Sequence, residues 1–272
     1  MSEGAEEMTF IEHLEELRWH LFRAAVSVFV FTTIIFLLKP FIFDTVIFGP
    51  TSENFLTYRG LCWLSNVLSL QGALCLSAPT FPVQNFEVMG QFLTHIKVSI
   101  VGGLIISFPY ILWEAWKFIS PGLYEREIRT TQGIVLTCSV LFLLGVAFGY
   151  FVLFPFSVKF LTNYSVSEQI GNNITLTSYI SFITTLTLAA GIMFELPIII
   201  YFLSKLGVVS SEWLGSHRRH ALVFILLVSA IITPPDVMSQ FLLGIPVMAL
   251  YEVGIWIARR VEKKREAEFG EA

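Results

Sequence analysis

The acidic side chains near the start of the sequence are the residues best placed to do chemistry. Glu12 and Glu16 lie four positions apart, and Thr9 with Glu12 forms a capping box that predicts the start of a helix. Residues four apart share one helix face. Two carboxylates displayed on that face could capture a cationic ligand. The alternative is a solvated polar face on an interfacial helix, and the spacing alone leaves both interpretations open.

The composition identifies the solvent in which these carboxylates must act. Of the 272 residues, 55% are hydrophobic and 14% are charged, whereas an ordinary soluble domain carries about 25% charged residues. The mean hydropathy is +0.72. Such a chain cannot cover a globular surface in water, so lipid is its expected solvent. The net charge of −4 argues against a nucleic-acid-binding protein, which would show a basic face.

Long windows without charge predict one all-α integral membrane domain over residues 1–272. A spanning helix needs about 20 mostly apolar residues, and the roughly 10-residue alternation of barrel strands is absent from the pattern. Six transmembrane helices are predicted, at about 20–42, 93–116, 131–154, 178–204, 217–232 and 237–257, with an external loop at 43–92. The fifth is short because two consecutive prolines follow it, so the last two are expected to form a shallow hairpin.

The placement of lysine and arginine predicts the orientation. With six spans and a cytoplasmic N-terminus, 13 of the 17 Lys and Arg residues fall on the cytoplasmic side and four fall outside. Positive residues concentrate in the cytoplasmic loops of membrane proteins. Both termini are therefore predicted to be cytoplasmic.

The first cytoplasmic loop contains a second pair of acids. Residues 116–127 combine three aromatic side chains with Glu125 and Glu127 around the Pro121-Gly122 pair. This mixture suits a binding surface at the level of the membrane. An ordinary aromatic belt at the membrane–water interface would have the same composition.

Glu195 is an acid within a predicted span. A charged residue there costs about 2.5–3.5 kcal/mol on insertion scales, so this carboxylate is expected to face a sheltered interior or to be protonated. It could contact the transmembrane helix of a partner, or it could be satisfied locally beside a kink at Pro197. Glu252 is expected to extend toward the cytoplasm beside Arg259.

The remaining polar candidates indicate structural roles. Asp236 is interpreted as the N-cap of the last span. His217 and His220 are three positions apart but lack further ligands, so no metal site is predicted. Cys62 and Cys75 both lie in the external loop, where an oxidising environment would allow a disulfide between them. The alternative is two free thiols.

Four motifs carry a resemblance to a known family. They are HLEELR at 13–18, WKFISPGLY at 116–124, FELP at 194–197 and TPPD at 233–236. In this order and on these spans they resemble the TatC family, the receptor core of the twin-arginine protein export system. The resemblance covers the chain from about Thr9 to Trp256, although the external loop is longer than the family pattern suggests.

The resemblance implies a glove-shaped six-helix bundle in the bacterial cytoplasmic (inner) membrane. It implies a receptor that binds the twin-arginine signal peptides of folded cargo at its cytoplasmic face and assembles with TatA-type subunits in a multimeric complex. It leaves open whether a TatB-like partner is present. No cofactor and no enzymatic chemistry are expected.

Residue by residue, the resemblance assigns roles to motif positions. Glu16 and Glu127 correspond to the acids that contact the arginines of the signal peptide, and the region of Glu195 and Pro197 is implicated in engaging TatA-type subunits. The neighbouring signal-peptide positions are Arg18, Phe118, Pro121 and Tyr124. The positions with an expected structural role are Pro50, Tyr150, Asp236, Cys62 and Cys75.

Two other classes of protein are alternatives to this function. A proton-coupled small-solute transporter is suggested by Glu195 and Glu252, but the sequence shows no inverted repeat with paired broken helices. An intramembrane enzyme is disfavoured because G-x-S-x-G, H-E-x-x-H and P-loop motifs are absent.

Overall fold

The structure is a computed structural model that describes residues 10–69, 72–73, 75, 77–79, 82–119, 128–167, 169, 173–233 and 237–270. The helices are α1 Phe10–Leu37, α2 Leu56–Val67, α3 Gly90–Ile119, α4 Ile128–Phe148, α5 Phe154–Asn163, α6 Leu176–Phe194, α7 Leu196–Lys205, α8 Ser211–Ser216, α9 Arg218–Ile232 and α10 Val237–Gly270. Two short strands, β1 Val83–Gln84 and β2 Ile174–Thr175, pair in parallel. Phe41–Ile47 and Gly149–Leu153 are π-helical, and Gly49–Thr51 is a 3₁₀ turn.

Five stretches of the described chain are long and apolar enough to cross a membrane. They are Leu14–Leu37, Gly90–Phe118, Gly133–Asn163, Leu176–Lys205 and Ser239–Lys264. This confirms an all-helical membrane protein. The predicted span at 217–232 is not among them, because α9 has only 15 residues and would reach roughly 22 Å at 1.5 Å per residue.

The chain divides into two compact units, one of residues 1–38 and 95–140 and the other of residues 39–94 and 141–272. In the first unit, α1 and α3 run antiparallel. His95, at the start of this part of α3, stacks on Phe36 with ring centroids 4.1 Å apart. Further along, a Cβ atom on Gly103 would lie 2.7 Å from the backbone nitrogen of Thr32. Glycine at this position therefore lets the two helix backbones approach closely.

The second unit is organised around α10. Its buried stripe is formed by Leu243, Val247, Tyr251, Ile255 and Ala258, which recur at helical spacing. Ile200 of α7, Leu214 of α8 and Ile225 of α9 belong to the same core cluster. The Tyr251 hydroxyl donates to the backbone oxygen of Leu214 at 2.9 Å, so the polar end of this buried side chain is satisfied.

Tyrosine hydroxyls hold the irregular segment at residues 46–50 in the second unit. Tyr150 donates to the carbonyl of Val46 at 2.5 Å, Tyr179 to that of Ile47 at 2.8 Å, and Tyr58 to that of Pro50 at 2.9 Å. Backbone outside regular helices needs such partners near lipid. Burial raises the pKa of Tyr58 to about 12, so this phenol stays a donor at physiological pH. Pro50, which is buried, and Tyr150 thus meet in one structural cluster.

The structure contains the disulfide between Cys62 and Cys75, which are 13 positions apart. Cys62 belongs to α2, whose buried face carries Tyr58 and Ser65. Trp63 and Leu56 are exposed on the other side. The bridge thus ties a helix with an apolar outer face to the segment that follows it.

Replacing both bridged cysteines by serine should destabilise the second unit by up to about 3 kcal/mol, because closing a loop of this size restricts the unfolded chain. The check is thermal melting of the detergent-solubilised protein with and without reductant. Reductant should lower the melting temperature of the native chain and leave the double variant unchanged. Equal melting temperatures for the two proteins without reductant would contradict a stabilising bridge.

Candidate functional site

Glu16 lies within the second turn of α1 and is half-buried. Its Oε1 atom is 4.0 Å from Nε2 of His20, one turn later on the same helix. Its Oε2 atom is buried and has no hydrogen-bond partner within the described part of the chain. A buried carboxylate oxygen without a donor is costly, so this atom is suited to accept hydrogen bonds from a ligand.

The neighbouring acids of α1 differ from Glu16. Glu15 is exposed and pairs with Arg18 at 3.5 Å, and such a surface pair contributes little to stability. Arg18 is one of the predicted signal-peptide residues, and the guanidinium also lies 5.9 Å from the ring of Trp19. Glu12 belongs to α1, but its side chain is not described.

A buried charge cluster lies next to Glu16 in the first unit. Glu114 of α3 is only 2% exposed. Its Oε2 atom is 2.6 Å from Nδ1 of His20 and 3.8 Å from a guanidinium nitrogen of Arg23, and the carboxylate also accepts from the Tyr110 hydroxyl. A buried carboxylate is tolerated when it is paired and hydrogen-bonded in this way.

Phe118 is the third predicted signal-peptide residue that the structure describes, after Glu16 and Arg18. Its ring meets that of His20 edge-on, with centroids 6.2 Å apart, so it belongs to the same neighbourhood as Glu16. The preceding residue, Lys117, lies 3.5 Å from the ring centre of Trp113, one turn earlier on α3. Pro121, Tyr124 and Glu127 lie outside the described residues, as does Asp236.

Glu195 lies at the break between α6 and α7 in the second unit. It terminates α6, and its own carbonyl accepts from the backbone N–H of Ile199 at 3.1 Å to start α7. Pro197 is buried in the first turn of α7, where its missing N–H is tolerated. The predicted interruption at Glu195 and Pro197 is thus present, and the carboxyl group is carried by a helix junction within the candidate span Leu176–Lys205.

Glu252 pairs with Arg218 rather than with Arg259, the residue beside which it was expected to lie. Oε1 of Glu252 lies 2.7 Å from Nε of Arg218 and Oε2 lies 3.0 Å from Nη2 of the same guanidinium. α9 runs antiparallel to α10, so its first residue reaches this carboxylate across the hairpin. A bidentate arginine pair has better geometry than a contact seven residues along one helix.

Among the described residues, no three His, Cys, Asp or Glu side chains lie close enough together to hold a metal ion. His217 stacks on Trp213 with centroids 4.3 Å apart and lies 5.4 Å from the ring of His220. Both histidines belong to this ring stack on α8 and α9.

Sequence reasoning missed His20 and Glu114. Glu114 directly follows the charge-free residues 98–113 and, like His20, belongs to none of the four motifs. The available signal was the four-residue spacing between Glu16 and His20, which places both on one face of α1. The partner 94 positions away in the sequence gives no local signal.

Five apolar stretches of the described chain are long enough to span a membrane. Together with the buried Glu114 of α3 and Glu195 at the α6–α7 junction, they define a multi-span helical membrane protein. Residues 12–246 match the family described as Sec-independent protein translocase protein (TatC). The chain belongs to the TatC family, and it is accordingly a translocase component, a non-enzymatic transport protein.

Curated relatives are similar over nearly the whole chain. The Sec-independent protein translocase protein TatC of Blattabacterium sp. subsp. Periplaneta americana is 38% identical, covering 97% of this chain and 100% of that protein. The TatC protein of Desulforapulum autotrophicum is 33% identical, covering 100% and 92%. A crystal structure of the twin-arginine translocase receptor TatC superposes with a TM-score of 0.70 at 30% identity, covering 92% of this chain and 100% of that one.

Proposed function

We propose that this chain is the signal-peptide receptor of a twin-arginine translocase in the bacterial cytoplasmic membrane. The observation that carries the proposal is the Glu16 carboxylate, whose Oε2 atom is buried without a donor in the described chain. Relatives of the same family include crystal structures described as the twin-arginine translocase receptor. In this proposal, Glu16 and Glu127 receive the two arginines of the signal peptide.

The carboxylates of Glu16 and Glu127 favour arginine rather than lysine as the ligand. A guanidinium presents two parallel donors that match a carboxylate, whereas an ammonium is a point charge without that geometry. Each hydrogen bond to a charged group contributes about 1.5–3 kcal/mol. Two acids could therefore discriminate against a peptide that has lost one arginine.

The proposed topology has six spans with both termini in the cytoplasm. α9 supplies the fifth span in chain order, and the Arg218–Glu252 pair gives its first residue a counter-charge in the middle of α10. A 15-residue helix is short for a hydrocarbon core of about 30 Å. The proposal therefore places this hairpin where the bilayer is thin or where protein shelters the turn.

Glu195 and Pro197 are proposed to contact a TatA-type subunit. A carboxyl group at a helix break inside a span marks a functional position, because it carries a cost in lipid. Glu252, the other acid that suggested a proton-coupled carrier, is engaged with Arg218. Family membership and this ion pair remove the support for the carrier alternative. The complex is expected to be multimeric, with the presence of a TatB-like partner left to experiment.

Replacing Glu16 by glutamine should weaken binding of a twin-arginine signal peptide roughly tenfold, because a charge-assisted hydrogen bond becomes a neutral one. Glu127→Gln is expected to act similarly. The measurement is photo-crosslinking of a labelled signal peptide to the full chain in membranes. A twin-lysine peptide should be bound weakly by every variant.

Glu15→Gln is the matched control, since Glu15 adjoins Glu16 but is exposed and pairs with Arg18. It should crosslink like the native chain. Equal crosslinking of the native protein and the Glu16→Gln, Glu127→Gln double variant would remove the proposed binding site.

A further inference from the structure

His20 lies between two carboxylates in the first unit. Nδ1 faces Glu114 of α3 at 2.6 Å, and Nε2 faces Glu16 of α1 at 4.0 Å. The His20 side chain is 11% exposed and that of Glu114 is 3% exposed. The contact with Glu114 is therefore shielded from water, where charge interactions are strong.

The hydrogen bond with Glu114 fixes the ring of His20. A carboxylate accepts hydrogen bonds, so Nδ1 of His20 donates to Oε2 of Glu114. Nε2, on the opposite side of the ring, is thereby turned toward Oε1 of Glu16. Arg23 and Tyr110 are the other titratable groups of the cluster in the described chain.

The direction of the Glu16 oxygens bears on the choice between arginine and lysine. A guanidinium gains two well-aligned hydrogen bonds only where the carboxylate oxygens match its two parallel donors, whereas an ammonium carries no such requirement.

The orientation of Glu16 follows from its neighbour. Oε1 is turned toward His20, while Oε2 points away and is buried without a donor in the described part of the chain. We infer that His20, held by Glu114, is a positioning residue that sets the direction of the Glu16 carboxylate and so the preference for arginine over lysine in the signal peptide. This inference rests on the proposed function of Glu16.

The test measures the ratio of affinities for twin-arginine and twin-lysine peptides, using the full chain in lipid nanodiscs. His20→Gln should lower this ratio roughly tenfold, as expected when one charge-assisted hydrogen bond that orients a group is lost. Glu114→Gln should lower it in the same direction. His20→Arg supplies donors that can reach both acids and should restore most of the preference.

His220→Gln, at an exposed histidine of α9, is the matched control for His20→Gln and should keep the native ratio of affinities.

A double-mutant comparison separates positioning from general stability. If His20 acts through Glu16, adding His20→Gln to Glu16→Gln should cause no further loss, whereas independent effects would add. An unchanged affinity ratio in His20→Gln, or full additivity with Glu16→Gln, would overturn the inference. If Glu16→Gln itself binds normally, the proposed function fails instead, so the two failures are distinguishable.

Discussion

Gly145→Val should prevent the chain from accumulating as a folded membrane protein. A Cβ atom on Gly145 of α4 would lie 2.6 Å from the carbonyl oxygen of Ala190 and 2.8 Å from Cα of Gly191, both on α6. These neighbours are backbone atoms, so no side-chain rotation can relieve the overlap. Overpacking a close contact costs about 1–3 kcal/mol and occasionally more, and valine at this position is expected at the upper end.

The adjoining turn of the same interface supports this expectation. Gly149 follows Gly145 by four residues, and a Cβ there would lie 2.9 Å from Cα of Thr187. Glycines at this spacing allow transmembrane helices to approach closely, and their packing replaces the hydrophobic drive that lipid removes. The close approach therefore extends over two turns of α4 and the π-helical segment that follows it.

Gly133→Val is the matched control for Gly145→Val. Both glycines are in α4, but a Cβ on Gly133 would meet no atom within 4 Å. The measurements are the amount of monodisperse protein after detergent extraction and its melting temperature. Gly133→Val should resemble the native chain in both. Native levels and a native melting temperature for Gly145→Val would show that the α4–α6 contact is looser than the structure has it.

The long spans could be predicted because lipid imposes a coarse requirement on the sequence. A stretch of apolar residues must cover the hydrocarbon core, and few charges are tolerated within it. Charge counting therefore located the first four spans and the last one. It did not locate the structured part of the external loop, where α2 and the tyrosine-held carbonyls at 46–50 depend on donors distant in sequence.

Specific ion pairs could not be predicted either, because the partner of each acid is distant in the sequence. Glu252 has a local candidate partner in Arg259, but the fold brings Arg218 to it across the α9–α10 hairpin. His20 and Glu114 are joined by the antiparallel register of α1 and α3. The acid at 16 was identified through its motif, whereas the residues that orient it belong to no motif and become visible only in three dimensions.

Glu195→Ala should leave signal-peptide binding intact and reduce export of a folded cargo by more than tenfold. Glu195 lies ten residues before the end of the candidate span Leu176–Lys205, which is roughly 15 Å along a helix and so near the middle of a core of about 30 Å. Pro197 interrupts the helix at this depth. A carboxyl group at this depth can form a hydrogen bond with a partner helix, because lipid supplies no competing donors.

We expect Glu195→Ala to separate signal-peptide binding from export because Glu16 and Glu195 belong to different units of the structure. Glu16 is in the unit of residues 1–38 and 95–140, whereas Glu195 is in the other unit. Removing Glu195 should therefore affect recruitment of the TatA-type subunit, measured by crosslinking, without changing the peptide crosslink. Glu195→Gln, which keeps a hydrogen-bonding group, should retain more export than Glu195→Ala.

Glu212→Ala serves as the control for Glu195→Ala, because Glu212 is exposed on α8 outside the candidate spans. It should export cargo at the native rate. If Glu195→Ala instead lowers the amount of folded protein, the carboxyl group stabilises the α6–α7 junction. The reduced export would then no longer support a contact with a partner subunit. If the variant folds, binds the signal peptide and still recruits the TatA-type subunit, Glu195 does not lie in that interface.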